Sequence, residues 1–185
     1  MLVGVDEVGR GCLAGPVCVA AVALLDGRLD TVDSKQLTAQ KRTLLAGQIR
    51  RHAQIIGIGW ASHQYIDRFG LTAALKLAAQ RALKPFGNIP ELILLDGNSN
   101  YIDDPRVATI IKGDALIPLI GAASIVAKVA RDNYMHAASQ RYPGYGFEHH
   151  VGYATALHRA MILQQGPCTL HRMSFSPLRT LQHVN

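Results

Sequence analysis

Two adjacent acids, Asp6 and Glu7, and two distant ones, Asp96 and Asp114, are the residues of this sequence whose types and placing could do chemistry. Each sits at or just beyond the end of a short apolar run that reads as a strand: residues 2–6, 91–95 and 107–111. A sheet can bring such strand ends together at one edge, however far apart they lie in the chain. Carboxylates gathered there repel one another, by roughly 4 kcal/mol for unit charges about 4 Å apart at an effective dielectric of about 20. They would therefore need cations, and an all-oxygen set suits hard divalent ions, Mg2+ or Mn2+. Two such ions can activate an attacking water and stabilise the leaving oxygen of a phosphodiester. Taken singly, Asp96 in Asp96-Gly97-Asn98 and Asp114 after Gly113 also fit ordinary turns. The Asp6-Glu7 pair is harder to dismiss: it ends an apolar strand, opens a glycine loop and has no helix to cap.

That loop, Gly9-Arg10-Gly11-Cys12-Leu13-Ala14, formally fits the dinucleotide-binding fingerprint. The fingerprint needs a helix next, and here Gly15-Pro16 and a valine-rich run follow instead, so that reading fails. What remains is backbone that a ligand can approach closely, with Arg10 between two glycines as a phosphate or sugar anchor. The alternative is a tight turn with an exposed arginine, and the neighbouring Asp6-Glu7 argues against it. On a predicted helix over residues 121–142, Ala122, Ile125, Val126 and Val129 form an apolar stripe, while Ser124, Lys128, Arg131 and Asp132 share the other face. Ser124 and Lys128 have the spacing of a serine nucleophile and its lysine base, but mid-helix, with no evident oxyanion site, the setting is poor. Lys128 reads better as a phosphate contact and Asp132 as part of a solvated face. Glu148-His149-His150 with His158 lacks a zinc-protease spacing and any cysteine support, and reads as exposed helix histidines.

The elements that position these residues are five strands and four helices. The strands cover residues 2–6, 17–25, 55–60, 91–95 and 107–111; the helices run from near Thr38 to 51, over 71–83, over 121–142 and over 149–163. Pro85 and Pro143 stop the second and third helices. With no repeat and no linker, the pattern indicates one α/β domain over residues 1–185 with a mixed sheet. Hydrophobic residues at 49% against 17% charged argue against disorder. No apolar run approaches the ~20 residues of a membrane span, and the run at 17–25 starts too far inside for a signal peptide. Cys12, Cys18 and Cys168 form neither a disulfide framework nor a C-x-x-C pair, so reduced, buried thiols and a cytoplasmic protein are expected. A net charge of +6, from 19 Lys+Arg against 13 Asp+Glu, suits a polyanionic partner.

The motifs taken together resemble the ribonuclease HII family. The resemblance rests on Val3-Gly4-Val5-Asp6-Glu7-Val8-Gly9-Arg10-Gly11, Leu13-Ala14-Gly15-Pro16-Val17, Asp33-Ser34-Lys35-Gln36-Leu37, Leu95-Asp96-Gly97-Asn98 and Lys112-Gly113-Asp114-Ala115. It continues through Ala122 to Val129 with Arg131-Asp132, Tyr145-Gly146-Phe147, Gly152-Tyr153-Ala154-Thr155, His171-Arg172 and Ser174-Phe175, covering residues 2–178 in the family's order. Val8, Cys12 and Gly121 depart from the usual pattern without removing a functional side chain. The resemblance implies a ribonuclease H-like fold, a five-stranded mixed sheet flanked by helices. It places the family's four metal-binding acids on Asp6, Glu7, Asp96 and Asp114, with Mn2+ or Mg2+ as cofactor. Gly9, Arg10 and Gly11 would meet the ribonucleotide's 2′-OH, Tyr153 would stack on the adjoining sugar, and Ser34, Lys35, Ser124 and Lys128 would contact phosphates. The implied substrates are RNA/DNA hybrids and duplex DNA with embedded ribonucleotides. Cleavage 5′ to the ribonucleotide would leave 3′-OH and 5′-phosphate ends, starting ribonucleotide excision repair by a monomer with no membrane partner. Other nucleases, integrases or exonucleases of the same superfold lack Gly9-Arg10-Gly11 with Tyr153. A catalytically dead binding module would not need all four acids.

Overall fold

A computed structural model describes residues 1–25 and 38–181. Ser34 and Lys35 lie outside the described residues. The chain opens with β1 (Leu2–Val8) and β2 (Val17–Leu24), followed by α1 (Ala39–His52), β3 (Ala53–Ala61), α2 (His63–Phe69) and α3 (Leu71–Leu83). Then come β4 (Leu92–Asp96), β5 (Val107–Ile110), α4 (Gly113–Leu116), α5 (Pro118–Arg141), α6 (Phe147–His150), α7 (Ala156–Gln165) and α8 (Leu178–Leu181). The five strands form one sheet in the order β3-β2-β1-β4-β5. β1 pairs antiparallel with β2 and parallel with β4, which pairs parallel with β5. This is the mixed sheet that the resemblance implies.

Helices cover both faces, and β2 shows why its sequence is apolar throughout. Its Val17, Val19, Ala21 and Ala23 pack with Ala74, Leu75, Ala78 and Ala82 of α3. The alternate residues Cys18, Ala20 and Val22 pack with Ala46 and Ile49 of α1 and Ala122, Ile125 and Val126 of α5. A strand buried on both faces has no polar alternation to show. The large apolar surface removed from water in these two layers is what holds the sheet edge, and hence the site, in a fixed geometry.

Several boundaries differ from those the sequence suggests. β1 extends past Asp6 to Val8, because Glu7 and Val8 still pair with Val19 and Cys18 of β2. α5 starts at Pro118, three residues before Gly121; proline at the first helical position needs no N–H partner there. The helix expected over 149–163 is two. After α6, Val151 and Gly152 adopt φ of 44° and 89°, which breaks the helix, and Thr155 caps α7 through His158 N–H at 3.2 Å. α2, capped by Ser62 and closed at Gly70, has no counterpart in the sequence reading. No helix among the described residues is long and apolar enough to cross a membrane. The cysteines are free thiols; Cys12 and Cys18 are buried, whereas Cys168 is only partly so.

Candidate active site

The register of the central strands brings the first two aspartates together. β1 and β4 run parallel with Val5 beside Leu95, so the next residues, Asp6 and Asp96, are neighbours where that pairing ends. Asp114 arrives from the far side of β5. Lys112 takes the left-handed conformation, with φ of 57°, and turns the chain into α4, whose first turn carries Asp114. The N–H of Gly113 donates to Asp96 Oδ1 at 2.7 Å, locking the two segments. One carboxylate oxygen from each of Asp6, Asp96 and Asp114 lies within 4.8 Å of the others.

Burial makes this cluster electrostatically unfavourable by itself. Asp6 is only 6% exposed. Its carboxyl is pushed up to about 8, chiefly by burial and then by the charges of Glu7 and Asp96. The Ser124 hydroxyl and the Glu7 N–H, at 2.7 Å from Asp6 Oδ1, oppose the shift. Three crowded carboxylates, two of them buried, and only oxygen donors fit a hard divalent cation.

Glu7 stands apart from the three. Successive residues of a strand point to opposite faces, so with β1 continuing to Val8, Glu7 leaves the sheet opposite Asp6. There its Oε1 accepts from Arg10 Nη1 at 2.8 Å and its Oε2 from the Tyr101 hydroxyl at 2.8 Å. The expected convergence of four acids is therefore three and one. Tyr101 was not among the expected site residues, and no motif in the sequence points to it.

The glycine loop is built on two buried arginines. Arg131, expected on a polar helix face, is fully buried: Nε donates to the Pro16 carbonyl at 2.9 Å, Nη1 to Val151 at 2.8 Å and Nη2 to Ala14 at 3.1 Å. Arg172, also fully buried, donates to the carbonyls of Gly15 and Arg10 at 2.9 and 3.0 Å. Desolvation lowers its pKa to about 10. Charge-assisted bonds to carbonyls take the place of carboxylate partners. Gly9 has φ of 94°, and a Cβ there would lie 2.3 Å from Arg131 Nε, so only glycine fits. Among the described residues, nothing lies within 4 Å of a Cβ at Gly11, so their packing does not demand that glycine.

Tyr153 is held beside this loop by a bridge to Cys12 and stays 38% exposed. Lys128 Nζ and Arg131 Cζ lie 5.5 and 5.9 Å from its ring centre. Asp132 is not simply solvated: it accepts from Lys128 Nζ at 2.8 Å and faces Arg42 at 4.0 Å. His150 and His158 are buried rather than exposed, stacked with ring centres 4.2 Å apart.

These parts meet in one open cavity of about 510 Å³, lined by Asp6, Glu7, Asp96, Gly9, Arg10, Gly11, Ser124, Lys128 and Tyr153. Arg42 of α1, which carries no motif, completes the basic side. Asp114 stands outside this lining, 5% exposed.

The model of the family Ribonuclease HII matches residues 3–178. The ribonuclease HII of Pseudothermotoga lettingae is 49% identical over 177 residues, which are 96% of this chain and 78% of that one. The ribonuclease HII of Sphingopyxis alaskensis is 46% identical over 185 residues, 100% of this chain and 93% of that one. A solved structure of the PCNA:RNase HII complex from Archaeoglobus fulgidus is similar with a TM-score of 0.79 at 26% identity, covering 100% of this chain and 95% of that one. The fold is ribonuclease H-like, and the chain belongs to the ribonuclease HII family, hydrolases with endonuclease activity on RNA/DNA hybrids.

Proposed function

We propose that the cavity cuts the phosphodiester on the 5′ side of a ribonucleotide, in RNA/DNA hybrids and in DNA duplexes carrying single ribonucleotides, leaving 3′-OH and 5′-phosphate ends. The observation that carries this reading is the cluster of Asp6, Asp96 and Asp114, with carboxylate oxygens within 4.8 Å of one another and Asp6 raised by burial among like charges. These three would hold Mn2+ or Mg2+, with Glu7 as the family's fourth acid at the cavity wall. Bound there, a pair of ions would supply an activated water and charge stabilisation for the leaving oxygen. The residues of the chain do the rest. Ser124 and the Glu7 N–H fix the Asp6 carboxylate, and Gly113 N–H fixes Asp96, so the oxygens are aimed before any cation arrives.

Recognition would fall to the opposite wall. The open space at Gly11 lets a sugar approach the backbone, Arg10 and Lys128 offer charge to phosphates, and Tyr153 presents a half-exposed ring to the adjoining sugar. Ser34 and Lys35 would extend the phosphate track. A 2′-OH is the group that separates RNA from DNA at one position. Release of such ends would begin ribonucleotide excision repair, a task for a cytoplasmic monomer.

The test is a nicking assay on a duplex with one embedded ribonucleotide. Cleavage is expected with Mn2+ or Mg2+ and is abolished by EDTA. Asp6→Asn and Asp96→Asn should lower kcat by several orders of magnitude while duplex binding survives. Full activity in EDTA or in either variant would remove the metal reading; equal cutting of an all-DNA duplex would remove the ribonucleotide reading.

A further inference from the structure

Tyr101 joins the apolar core to the cavity through a chain of two hydrogen bonds. Its ring is 5% exposed and packs in the layer that contains Val3, Val5, Leu95 and Ile102. Its hydroxyl donates to Glu7 Oε2 at 2.8 Å, and Arg10 donates to Glu7 Oε1, also at 2.8 Å. The three groups differ in freedom. The Glu7 side chain is 8% exposed, whereas that of Arg10 is 51% exposed and ends at the cavity. The loop that carries Tyr101 is itself tied down. Asn100 Oδ1 accepts from the Asp103 N–H at 3.0 Å, and Asp104 accepts from Arg106 at 2.7 Å. A rigid donor therefore fixes a nearly buried carboxylate, and that carboxylate fixes a solvent-reaching guanidinium.

We propose that Tyr101 is a positioning residue for substrate: through Glu7 it holds the Arg10 guanidinium at the cavity mouth, set for a phosphate or ribose oxygen of the bound strand. This rests on the nucleic-acid reading of the cavity given above. The reason is entropic and electrostatic. A free arginine side chain loses rotamer freedom when it docks on a phosphate, and holding it beforehand removes part of that cost. Glu7 uses one N–H of the five that a guanidinium carries, leaving donors for a ligand. Without the Tyr101 hydroxyl, the exposed Arg10 is the one hydrogen-bond partner left to the Glu7 side chain among the described residues, and Glu7 can turn. The strand geometry supports this link, because alternation along β1 sends Glu7 to the face opposite Asp6, where Tyr101 packs, while its carboxylate still borders the same cavity.

The experiment measures binding without cleavage. A fluorescent duplex with one ribonucleotide is titrated in EDTA with wild type, Tyr101→Phe, Arg10→Ala and the double variant, and anisotropy gives Kd. Tyr101→Phe keeps the ring in the core, so its Tm should stay within about 2 °C of wild type. Its Kd should rise roughly three- to tenfold, the range expected for one hydrogen bond to a charged group acting at one remove. In the Arg10→Ala background the same change should add less than about twofold, the signature of two residues acting through one path. Mn2+ affinity, followed by the EPR signal of the free ion, should be the same in Tyr101→Phe as in wild type.

Wild-type duplex affinity in Tyr101→Phe overturns the proposal. So does an undiminished effect in the Arg10→Ala background, or a tenfold loss of Mn2+ affinity, which would route Tyr101 through the metal site instead. Should Tyr101→Phe unfold, Glu7→Gln in the same cycle with Arg10→Ala tests the same link from its middle. A wild-type protein that binds no duplex at all fails earlier: it overturns the nucleic-acid reading and this role with it.

Discussion

His158 and His171 meet nitrogen to nitrogen, Nε2 to Nε2 at 3.1 Å, in the buried layer behind Tyr153. Their protons can be placed by elimination. The N–H of Cys168 donates to His171 Nδ1 at 2.9 Å, so that nitrogen is the acceptor and neutral His171 carries its proton on Nε2. It then donates to His158 Nε2, and His158 donates from Nδ1 to the Tyr153 carbonyl at 2.9 Å. His150 stacks on His158 and belongs to the same neutral set, donating from Nε2 to the Tyr145 carbonyl and accepting the Gly152 N–H on Nδ1. A second proton on either member of the pair would set N–H against N–H.

Stability should therefore fall on acidification. Burial, with unfavourable charge from His150 and, around His171, from His63, lowers both His158 and His171 from 6.5 to about 4. The folded values lie below the unfolded one, so the unfolded chain binds more protons between them. The contribution is complete above 6.5 and is lost as pH falls through the window to about 4. Melting followed by circular dichroism should show Tm several degrees lower at pH 5 than at pH 7. The dependence should be shallower in His171→Asn. Because the raised Asp6 carboxyl opposes this trend, the comparison decides: a pH dependence as steep in His171→Asn as in wild type would mean the pair is not neutral in the folded state.

Arg131→Met should be among the most damaging substitutions in the chain. It removes three donors at once and leaves the carbonyls of Ala14, Pro16 and Val151 without them. Unsatisfied buried acceptors cost about 1–3 kcal/mol each, not fully additive, so a loss of roughly 3–5 kcal/mol in urea unfolding is expected. A loss below about 1 kcal/mol would show that the loop does not depend on this guanidinium.

Arg131 also shows where the sequence stops being legible. A helical pattern separates the apolar stripe of α5 from its opposite face but does not say what covers that face. Here the covering element is the loop at residues 9–16, whose carbonyls need donors. The strands and long helices were readable because burial on one or both faces writes a period into the sequence, and Asp6, Asp96 and Asp114 were readable as strand-end acids. Glu7 was half readable. Extending β1 by two residues would have put it on the face opposite Asp6, by alternation alone. Arg42 reaches the cavity, and Tyr101 reaches Glu7 at its wall, only through tertiary packing, and nothing local marks either. His149 is exposed as its pattern suggests, but His150 and His158 are not, because the break at Val151 and Gly152, which folds α6 and α7 over one another's rings, depends on backbone conformations that a valine rarely takes.

Lys128→Ala should distinguish a phosphate contact from a private ion pair. Lys128 is bonded to Asp132, yet its side chain also lines the cavity. If it neutralises a phosphate, its removal should flatten the plot of log K against log salt by about one unit, with affinity falling on hybrid and single-ribonucleotide duplexes alike. An unchanged slope would assign Lys128 to Asp132 alone.

Tyr153 should matter more for sensing a ribonucleotide than for the metal chemistry. Its backbone is fixed from two sides, by the bridge to Cys12 and by the His158 donor to its carbonyl, while its ring stays 38% exposed beside the glycine loop. A ring held this way offers a flat surface to the adjoining sugar, and the backbone at Gly11 offers close approach to the 2′-OH. Tyr153→Phe keeps the surface and loses the hydroxyl, so it should retain more activity than Tyr153→Ala. Tyr153→Ala should fold and bind Mn2+ like wild type, yet cut a single-ribonucleotide duplex at least tenfold more slowly. The competing role is an anchor that fastens α7 to the core. The bond from the His158 ring to the Tyr153 carbonyl and the backbone pairing at the Cys12 bridge, where Leu13 N–H donates to the Gly152 carbonyl, already supply that fastening, and they survive truncation of the ring. Melting and single-turnover cleavage of the two variants separate the roles: a Tm several degrees lower in Tyr153→Ala, with cleavage reduced only by the unfolded fraction, would make the ring an anchor and leave the 2′-OH to the glycine loop alone.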